Sequence, residues 1–301
     1  MVAPGRGLRP GAAAPDAPEA GASADCPFCE GHESETPPET FAVAKRAREP
    51  DTPGWQVRVV PNLYPLFVER TAAAHTEPPF EAGPAHGRHE VVVHTPRHVV
   101  SIADLADAEL EAVATAWRLR ADSARDAGFA AMLAFVNEGR AAGASRPHTH
   151  SQLVAFAKPP PALTTTNGGG CRLCELLALE RTTDRLVLEQ DGLVCVCPFA
   201  SRAPYELLVA PLACEPDGLA GDHLAAALML AAEGVRRLHQ VAGRVPLNAW
   251  LLSAPFGEET PHWRLVVLPR LTIPAGLELG AGLGVTTIPP EEAAAALRAA
   301  G

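Results

Sequence analysis

Two C-x-x-C pairs, Cys26/Cys29 and Cys171/Cys174, each open the same order of elements, so the chain is expected to fold as two related halves. After the first pair come β-branched runs at WQVRVVPN (55–62) and HEVVVHTP (89–96), each closed by proline, which predict strands. A helix follows, capped by Ser101 and running to residue 128, because Leu110, Val113, Ala114, Trp117 and Ala121 recur at helical spacing. Strands are then expected at 132–139 and 150–157. After the second pair the order repeats: strands in RLVLEQDGLVCVCP (185–198) and YELLVAP (205–211), an Ala/Leu-rich helix from about 221 to 242, then strands at 248–255 and 263–269. The intervals agree as well, 50 residues from His98 to His148 and 48 from Cys214 to His262. Between the halves, KPPPALTTTNGGG (158–170) suits neither helix nor sheet and reads as a linker. The predicted organisation is α+β: a first domain at 1–157 and a second at 171–301, each an antiparallel sheet with packed helices.

Composition bounds the function. With 47% hydrophobic and 20% charged residues over 301 positions, a core of ordinary size is available and disorder as the main state is excluded. A net charge of -10 repels phosphate polymers and argues against a nucleic-acid partner, while leaving room for a local basic pocket. No apolar run approaches the ~20 residues that cross a bilayer, and the first 25 residues lack the hydrophobic stretch of a signal peptide, so no membrane association and a cytoplasmic location are expected. Residues 11–25, rich in Ala, Pro and Gly, are expected to be poorly ordered. The cysteines number seven, and in a reducing compartment their pairs read as metal ligands before disulfides. A redox pair is the alternative reading of one C-x-x-C, weakened by the second. Cys195 and Cys197, alternating on an apolar strand, read as small core residues.

The segment PHTHSQ (147–152) is the strongest local signal. On an extended backbone His148, His150 and Gln152 project to one side, and three polar heads in a row are costly to bury without partners. An exposed strand edge is the bland alternative. Just upstream, FVNEGRAAGASRP (135–147) ends a strand in a Gly/Ala-rich loop whose backbone N–H groups can approach an anion closely, with Asn137 and Ser145 bracketing it. A phosphate fits there.

With these residues in view, the chain resembles the galactose-1-phosphate uridylyltransferase family of the histidine-triad superfamily. The resemblance runs over nearly the whole chain: APGRGLRP (3–10), CPFC with TPPE (26–39), VRVVPNLYP (57–65), HEVVVHTPRH (89–98), NEGRAAGASRPHTHSQ (137–152), PHWRLVVLPRL (261–271) and LELGAGLGVTTIPPEEAA (277–294). It implies two tandem histidine-triad-like domains, of which the first is catalytic. It further implies that His150 is a nucleophile carrying a nucleoside monophosphate, with UDP-glucose and galactose 1-phosphate as the leading substrate pair. Gln152 holds the place of the third histidine of smaller histidine-triad hydrolases, and its neutral amide suits transfer better than hydrolysis. By the same resemblance Arg6 and Arg9 neutralise phosphate charge, Asn62, Asn137 and Ser145 contact nucleotide, and Glu278 binds sugar hydroxyls. Set against this, the arginines read as ordinary solvated side chains, Asn62 as a turn former and Glu278 as a surface charge.

The resemblance also implies structural zinc held by Cys26, Cys29, His98 and His148, and a second zinc held by Cys171, Cys174, Cys214 and His262. Cys214 stands where relatives with two zincs usually have histidine, and sulfur serves as well. Arg264 occupies the place in the second half that His150 has in the first, and a guanidinium cannot accept a phosphoryl group. Measured against the family, the chain starts inside the strand that precedes APGRGLRP, so Arg6 is expected to be less well held. The C-terminal LELGAGLGVTTIPPEEAA resembles the branch containing ADP-glucose phosphorylases and archaeal transferases. An ADP-glucose phosphorylase is therefore the alternative enzyme, and a zinc-stabilised nucleotide-binding protein without turnover the alternative of another class. A homodimer is implied by resemblance alone.

Overall fold

The computed structural model describes residues 1–4, 25–69, 75–77, 79–82, 85–164, 171–259 and 261–301. The β-branched runs form strands β1 (Phe41–Val43), β2 (Val57–Pro61), β5 (Gly87–Val93), β6 (Ala131–Glu138), β7 (His150–Phe156), β8 (Leu186–Gln190), β9 (Leu193–Val196), β10 (Leu207–Pro211), β11 (Leu247–Leu252) and β12 (Arg264–Pro269). A short pair, β3 (His75–Glu77) and β4 (Phe80–Ala82), stands apart. The helices are α1 (Asp107–Asp126), α2 (Pro161–Thr164), α3 (Arg172–Glu180), α4 (Leu224–Ala242), α5 (Gly276–Ala281) and α6 (Pro290–Ala299).

The ten main strands make one antiparallel sheet in the order β1-β2-β5-β7-β6-β11-β12-β10-β9-β8. Reading outward from the middle, β6, β7, β5, β2 and β1 answer to β11, β12, β10, β9 and β8, so the repeat seen in the sequence is written in the strand order. The two expected sheets are, however, joined: β6 pairs with β11, placing Phe135 opposite Trp250. The reason is elementary. Each half ends in a strand with unpaired N–H and C=O groups, and pairing the two edges satisfies both ladders at once.

One face of this sheet carries α1 and α4, which also pack on each other. Trp117, Trp263, Leu110, Leu207, Leu238 and Leu247 are fully buried there, in one core cluster that draws on both halves. Trp117 Nε1–H donates to Ser151 Oγ (2.8 Å), so the even-spaced row Ser151, Leu153, Ala155 of β7 faces the helices. His150 and Gln152 therefore face the other way. Cys195 and Cys197 are fully buried, as the alternation implied.

Ser101 does not cap the long helix. Its Oγ accepts from Ala103 N–H (3.2 Å) and caps a 3-10 turn at Ile102–Asp104; Leu105 is extended, and α1 starts at Asp107 with the Glu109 carboxylate accepting from Ala106 N–H (2.9 Å). Part of the expected linker, Pro161–Thr164, is a helical turn that buries Leu163, while 165–170 lie outside the described residues. Most of 11–25 lies outside them as well. Among the described residues no helix is long and apolar enough to cross a membrane.

Glu138, at the end of β6, is buried beneath Ile102 N–H, which donates to its Oε1 at 2.6 Å. Burial pushes its carboxyl up to about 7 against the hydrogen bonds from Ile102 and Ser101. A carboxyl raised above its unfolded value holds its proton more tightly when folded. Its contribution to stability is then fully present below about pH 4.5 and lost as pH rises through about 7. Urea unfolding at pH 5.5 and 8.5 is expected to show the wild type losing about 2 kcal/mol more than Glu138→Gln, since the span from pH 5.5 to about 7 contributes. Parallel losses in both chains would show that this carboxyl is not the source.

Candidate functional site

The first C-x-x-C is a tight turn: Cys29 N–H donates to Cys26 O (3.1 Å), and Glu30 N–H to Pro96 O (3.2 Å), which docks it on the loop that carries His98. Behind it, Trp55 Nε1–H donates to Glu33 Oε1 (2.8 Å). The buried Arg58 guanidinium binds Glu39 Oε2 (3.1 Å), Asp51 Oδ1 (2.5 Å) and Thr36 Oγ1 (2.6 Å), which fixes the following loop to β2. Cys26 Sγ lies 3.4 Å from His148 Nδ1, and Cys29 Sγ 3.3 Å from His98 Nδ1 and 3.7 Å from His148 Nδ1. All four donor atoms lie within 4.8 Å of one another.

The donor set fits a tetrahedral metal. His148 Nε2–H donates to Thr95 O (2.9 Å), which leaves the Nδ1 lone pair facing the sulfurs, as a ligating histidine with an oriented outer nitrogen requires. Burial, then the adjacent Cys26 sulfur, pushes the Cys29 thiol up to about 12, while burial takes His148 down to about 4. Imidazole is thus neutral and available, and a divalent cation supplies the charge that deprotonates buried thiols.

The second quartet also assembles. Cys171 precedes α3, Cys174 lies in its first turn, Cys214 follows β10 and His262 precedes β12, with donor atoms again within 4.8 Å and Cys174 Sγ 3.2 Å from His262 Nδ1. Cys214, the position that departs from the pattern, takes its place among the donors although it is exposed.

His150 is 5% exposed, two residues beyond His148 on the same face of β7. Its Nδ1–H donates to the His148 carbonyl (2.7 Å), and the Phe28 ring of the C-x-x-C turn stands edge-on at 5.2 Å. This fixes the tautomer: the Nε2 lone pair is free. Burial holds the ring below the ordinary histidine range, so it is neutral at pH 7.

Gln152 is held by a residue that sequence reasoning passed over. Leu66 N–H donates to His89 Nδ1 (3.2 Å), so the ring proton sits on Nε2, which donates to Gln152 Oε1 (2.8 Å). Asn62 Nδ2–H adds a second donor to the same oxygen (3.3 Å) while its Oδ1 accepts from Tyr64 N–H (2.9 Å). Asn62 therefore both shapes the turn and touches the Gln152 network, on the rim of an open hollow of about 400 Å³. With its oxygen occupied twice, the Gln152 NH₂ remains as a donor. The signal for His89 was a histidine just ahead of the apolar run Val91–Val93 in β5; its partner became visible only with the register that sets Val91 opposite Gln152.

After β6 the chain turns through Gly139 (φ 79°) and Gly143 (φ 88°), left-handed positions that glycine adopts without strain. Asn248 Nδ2–H bridges Asn137 Oδ1 (2.7 Å) and Ala142 O (2.8 Å), and Arg270 Nε–H donates to Asn248 Oδ1 (2.5 Å). Asn137 is thus tied to the second half, and Ser145 is exposed at the loop tip. Arg270 lines a cavity of about 500 Å³ that also contains Glu278, whose Oε2 accepts from Ala275 N–H (3.0 Å) at the start of α5. None of His150, Gln152 or Asn62 lines that cavity. Arg6 and Arg9 lie outside the described residues.

One ten-stranded antiparallel sheet, an H-x-H-x-Q segment and Cys/His quartets beside it are the features that the resemblance to the histidine-triad superfamily implied. The model of the galactose-1-phosphate uridyl transferase N-terminal domain matches residues 43–159. An ADP-glucose phosphorylase of Arabidopsis thaliana is 29% identical over 299 residues, spanning 91% of this chain and 81% of the relative. A galactose-1-phosphate uridylyltransferase of Thermotoga maritima is 26% identical over 252 residues, 73% and 76% of the two chains. Among solved structures, an Arabidopsis thaliana ADP-glucose phosphorylase with bound ADP-glucose superposes with a TM-score of 0.79 at 25% identity, over 99% of this chain and 94% of that one. A uridylyltransferase gives 0.78 at 28% identity over 95% and 94%. The resemblance to the galactose-1-phosphate uridylyltransferase family is thus shown, by the family model over residues 43–159 and by relatives across most of the chain, which are named as uridylyltransferases and a phosphorylase.

Proposed function

We propose that this protein moves a nucleoside monophosphate from a nucleoside diphosphate hexose to a phosphate-bearing acceptor through a covalent bond to His150. One observation carries the reading: the His150 Nδ1–H bond to the His148 carbonyl, which leaves Nε2 as a neutral, oriented nucleophile. Nε2 attacks the α-phosphorus, the bond to the bridging oxygen breaks, and hexose 1-phosphate departs with that oxygen. The His148 carbonyl then faces an Nδ1–H on a ring that has become cationic, which stabilises the intermediate. A phosphate oxygen of the acceptor attacks the same phosphorus and the imidazole leaves with its lone pair restored. The Gln152 NH₂ donates to a phosphoryl oxygen, and its amide offers no proton route to the leaving group. Asn137 and the Gly/Ala-rich turn position the phosphates; Arg6, Arg9, Ser145 and Glu278 are assigned substrate contacts by family resemblance. Zinc is the proposed metal: Cys26, Cys29, His98 and His148 would hold one ion and Cys171, Cys174, Cys214 and His262 another, bracing the strands with all four positions filled by protein.

Two donor pairs fit this chemistry. ADP-glucose with inorganic phosphate is supported by the relative matched across 91% of the chain and by the C-terminal LELGAGLGVTTIPP segment. UDP-glucose with galactose 1-phosphate, read first from the motifs, is supported by the uridylyltransferase relatives. Incubating the protein with each donor labelled at the α-phosphorus is expected to give acid-labile label from the true donor, discharged by its own acceptor. Labelling by neither donor would contradict the proposal. A pair of subunits completing the site belongs to the same proposal, and sedimentation should then return twice the chain mass.

His89 acts in this scheme as a positioning residue for Gln152. Replacing it with leucine removes a buried hydrogen bond worth about 1–2 kcal/mol, so kcat should fall about tenfold with KM little changed. An equal rise in KM with unaltered kcat would assign His89 to ground-state binding instead.

A further inference from the structure

The second half contains a cationic hollow that the transfer site does not use. It encloses about 470 Å³, and its lining includes Arg172, Arg202, Arg264, Glu206 and Trp250. Arg264 stands two residues beyond His262 on β12, as His150 stands two beyond His148 on β7. The ladder sets Gln152 opposite Phe135, Phe135 opposite Trp250, and Trp250 opposite Val266, so His150 and Arg264 differ by three strands across the sheet and four residues along it. At ordinary strand spacing and rise that separates them by about 20 Å, on one face but at opposite ends. Arg264 therefore does not serve the phosphorus bound to His150.

Among the described residues Arg264 has no carboxylate partner; the charged groups facing it are Arg202 and Cys171. Arg202 is bonded twice to Glu206 Oε1, through Nε (3.0 Å) and Nη2 (2.6 Å), and its guanidinium lies 5.2 Å from the Trp250 ring centroid. Three guanidiniums against one carboxylate leave the hollow positive in a chain of net charge -10, and it stays positive when the adjoining three-thiolate quartet with a divalent ion contributes one negative charge. Apart from Cys171 and His262 of the adjoining quartet, the rest of the lining is apolar and includes Leu208, Leu252 and Val266. A phosphate ion alone would leave most of that volume and all of that apolar surface unused. The shape and chemistry suit an anion attached to a flat ring.

We propose that this hollow binds a nucleoside phosphate and holds it without turnover. Its phosphate pairs with the Arg264 fork and its base lies along the Trp250 wall. No covalent bond forms, because a guanidinium keeps its proton and offers no lone pair to phosphorus.

Equilibrium dialysis of the metal-loaded full chain with radiolabelled AMP, and in parallel UMP, at low ionic strength tests this. The wild type should bind one equivalent per chain more than Arg264→Ala, in which affinity at this site falls at least about tenfold. Leu176→Trp provides a second variant: Leu176 lines the mouth and is 48% exposed, so the larger side chain closes the hollow without disturbing the core. It should lose the same equivalent. Unchanged stoichiometry in both variants, or a loss confined to Arg264→Ala, overturns the proposal. The compared chains all retain His150, so the outcome does not depend on whether transfer occurs there.

Discussion

Replacing His150 with alanine should reduce exchange of label between donor and acceptor sugars by about four orders of magnitude or more, while the fold and the metal content persist. The size follows from the proposed chemistry, in which the intermediate is a bond to this nitrogen. Loss of a covalent nucleophile is a loss of the whole two-step route, unlike the loss of one hydrogen bond. The neighbours support persistence of the fold. His150 bonds to a backbone carbonyl and packs against Phe28, whereas the strand is held by its ladder to Val93 on β5 and by Ser151 beneath Trp117. A His150→Ala chain that exchanges label at the wild-type rate would require a direct displacement with no intermediate.

Metal removal should have the second large effect, and an unequal one. A structural tetrahedral site contributes on the order of 10 kcal/mol to folding, comparable with the entire stability of a domain. Cys29→Ser should lower metal content from two per chain to one and abolish transfer, because His148 of the same quartet lies two residues ahead of the proposed nucleophile, just before β7, and its carbonyl orients that ring. Cys174→Ser should also leave one metal per chain, but it unties α3 from β12 and lies three strands away from β7 in the sheet order, so transfer should survive at a greater fraction. Metal analysis beside an exchange assay reads both. Equal activity losses from the two variants would show that the quartets brace the sheet as a whole and not the individual strands.

The local signals were legible in the chain. C-x-x-C turns and the H-x-H-x-Q row need only a turn and a period of two, and both quartets assemble as their spacing and the resemblance implied. What the chain did not disclose was pairing between distant strands. The β6–β11 ladder, which turns two expected sheets into one, joins edges about a hundred residues apart in the chain and leaves no mark on either strand's own pattern. His89 was missed for the same reason, since its role arises from lying diagonally across from Gln152. Asn248 and Arg270, which tie Asn137 to the cavity holding Glu278, also belong to no motif. Ser101 went wrong differently: a good cap residue does cap, but it caps the turn ahead of the helix, and Glu109 serves the helix itself.

The central claim is that one nitrogen, Nε2 of His150, holds the transferred group between the two half-reactions. Its most direct test is the mass of the protein quenched after mixing with donor sugar in the absence of acceptor, followed by sequencing of the modified peptide. The account predicts a gain of one nucleoside monophosphate per chain, carried on the peptide containing 148–152 and lost on addition of acceptor. An unmodified mass under conditions of active turnover, or an adduct on any other residue, would contradict it.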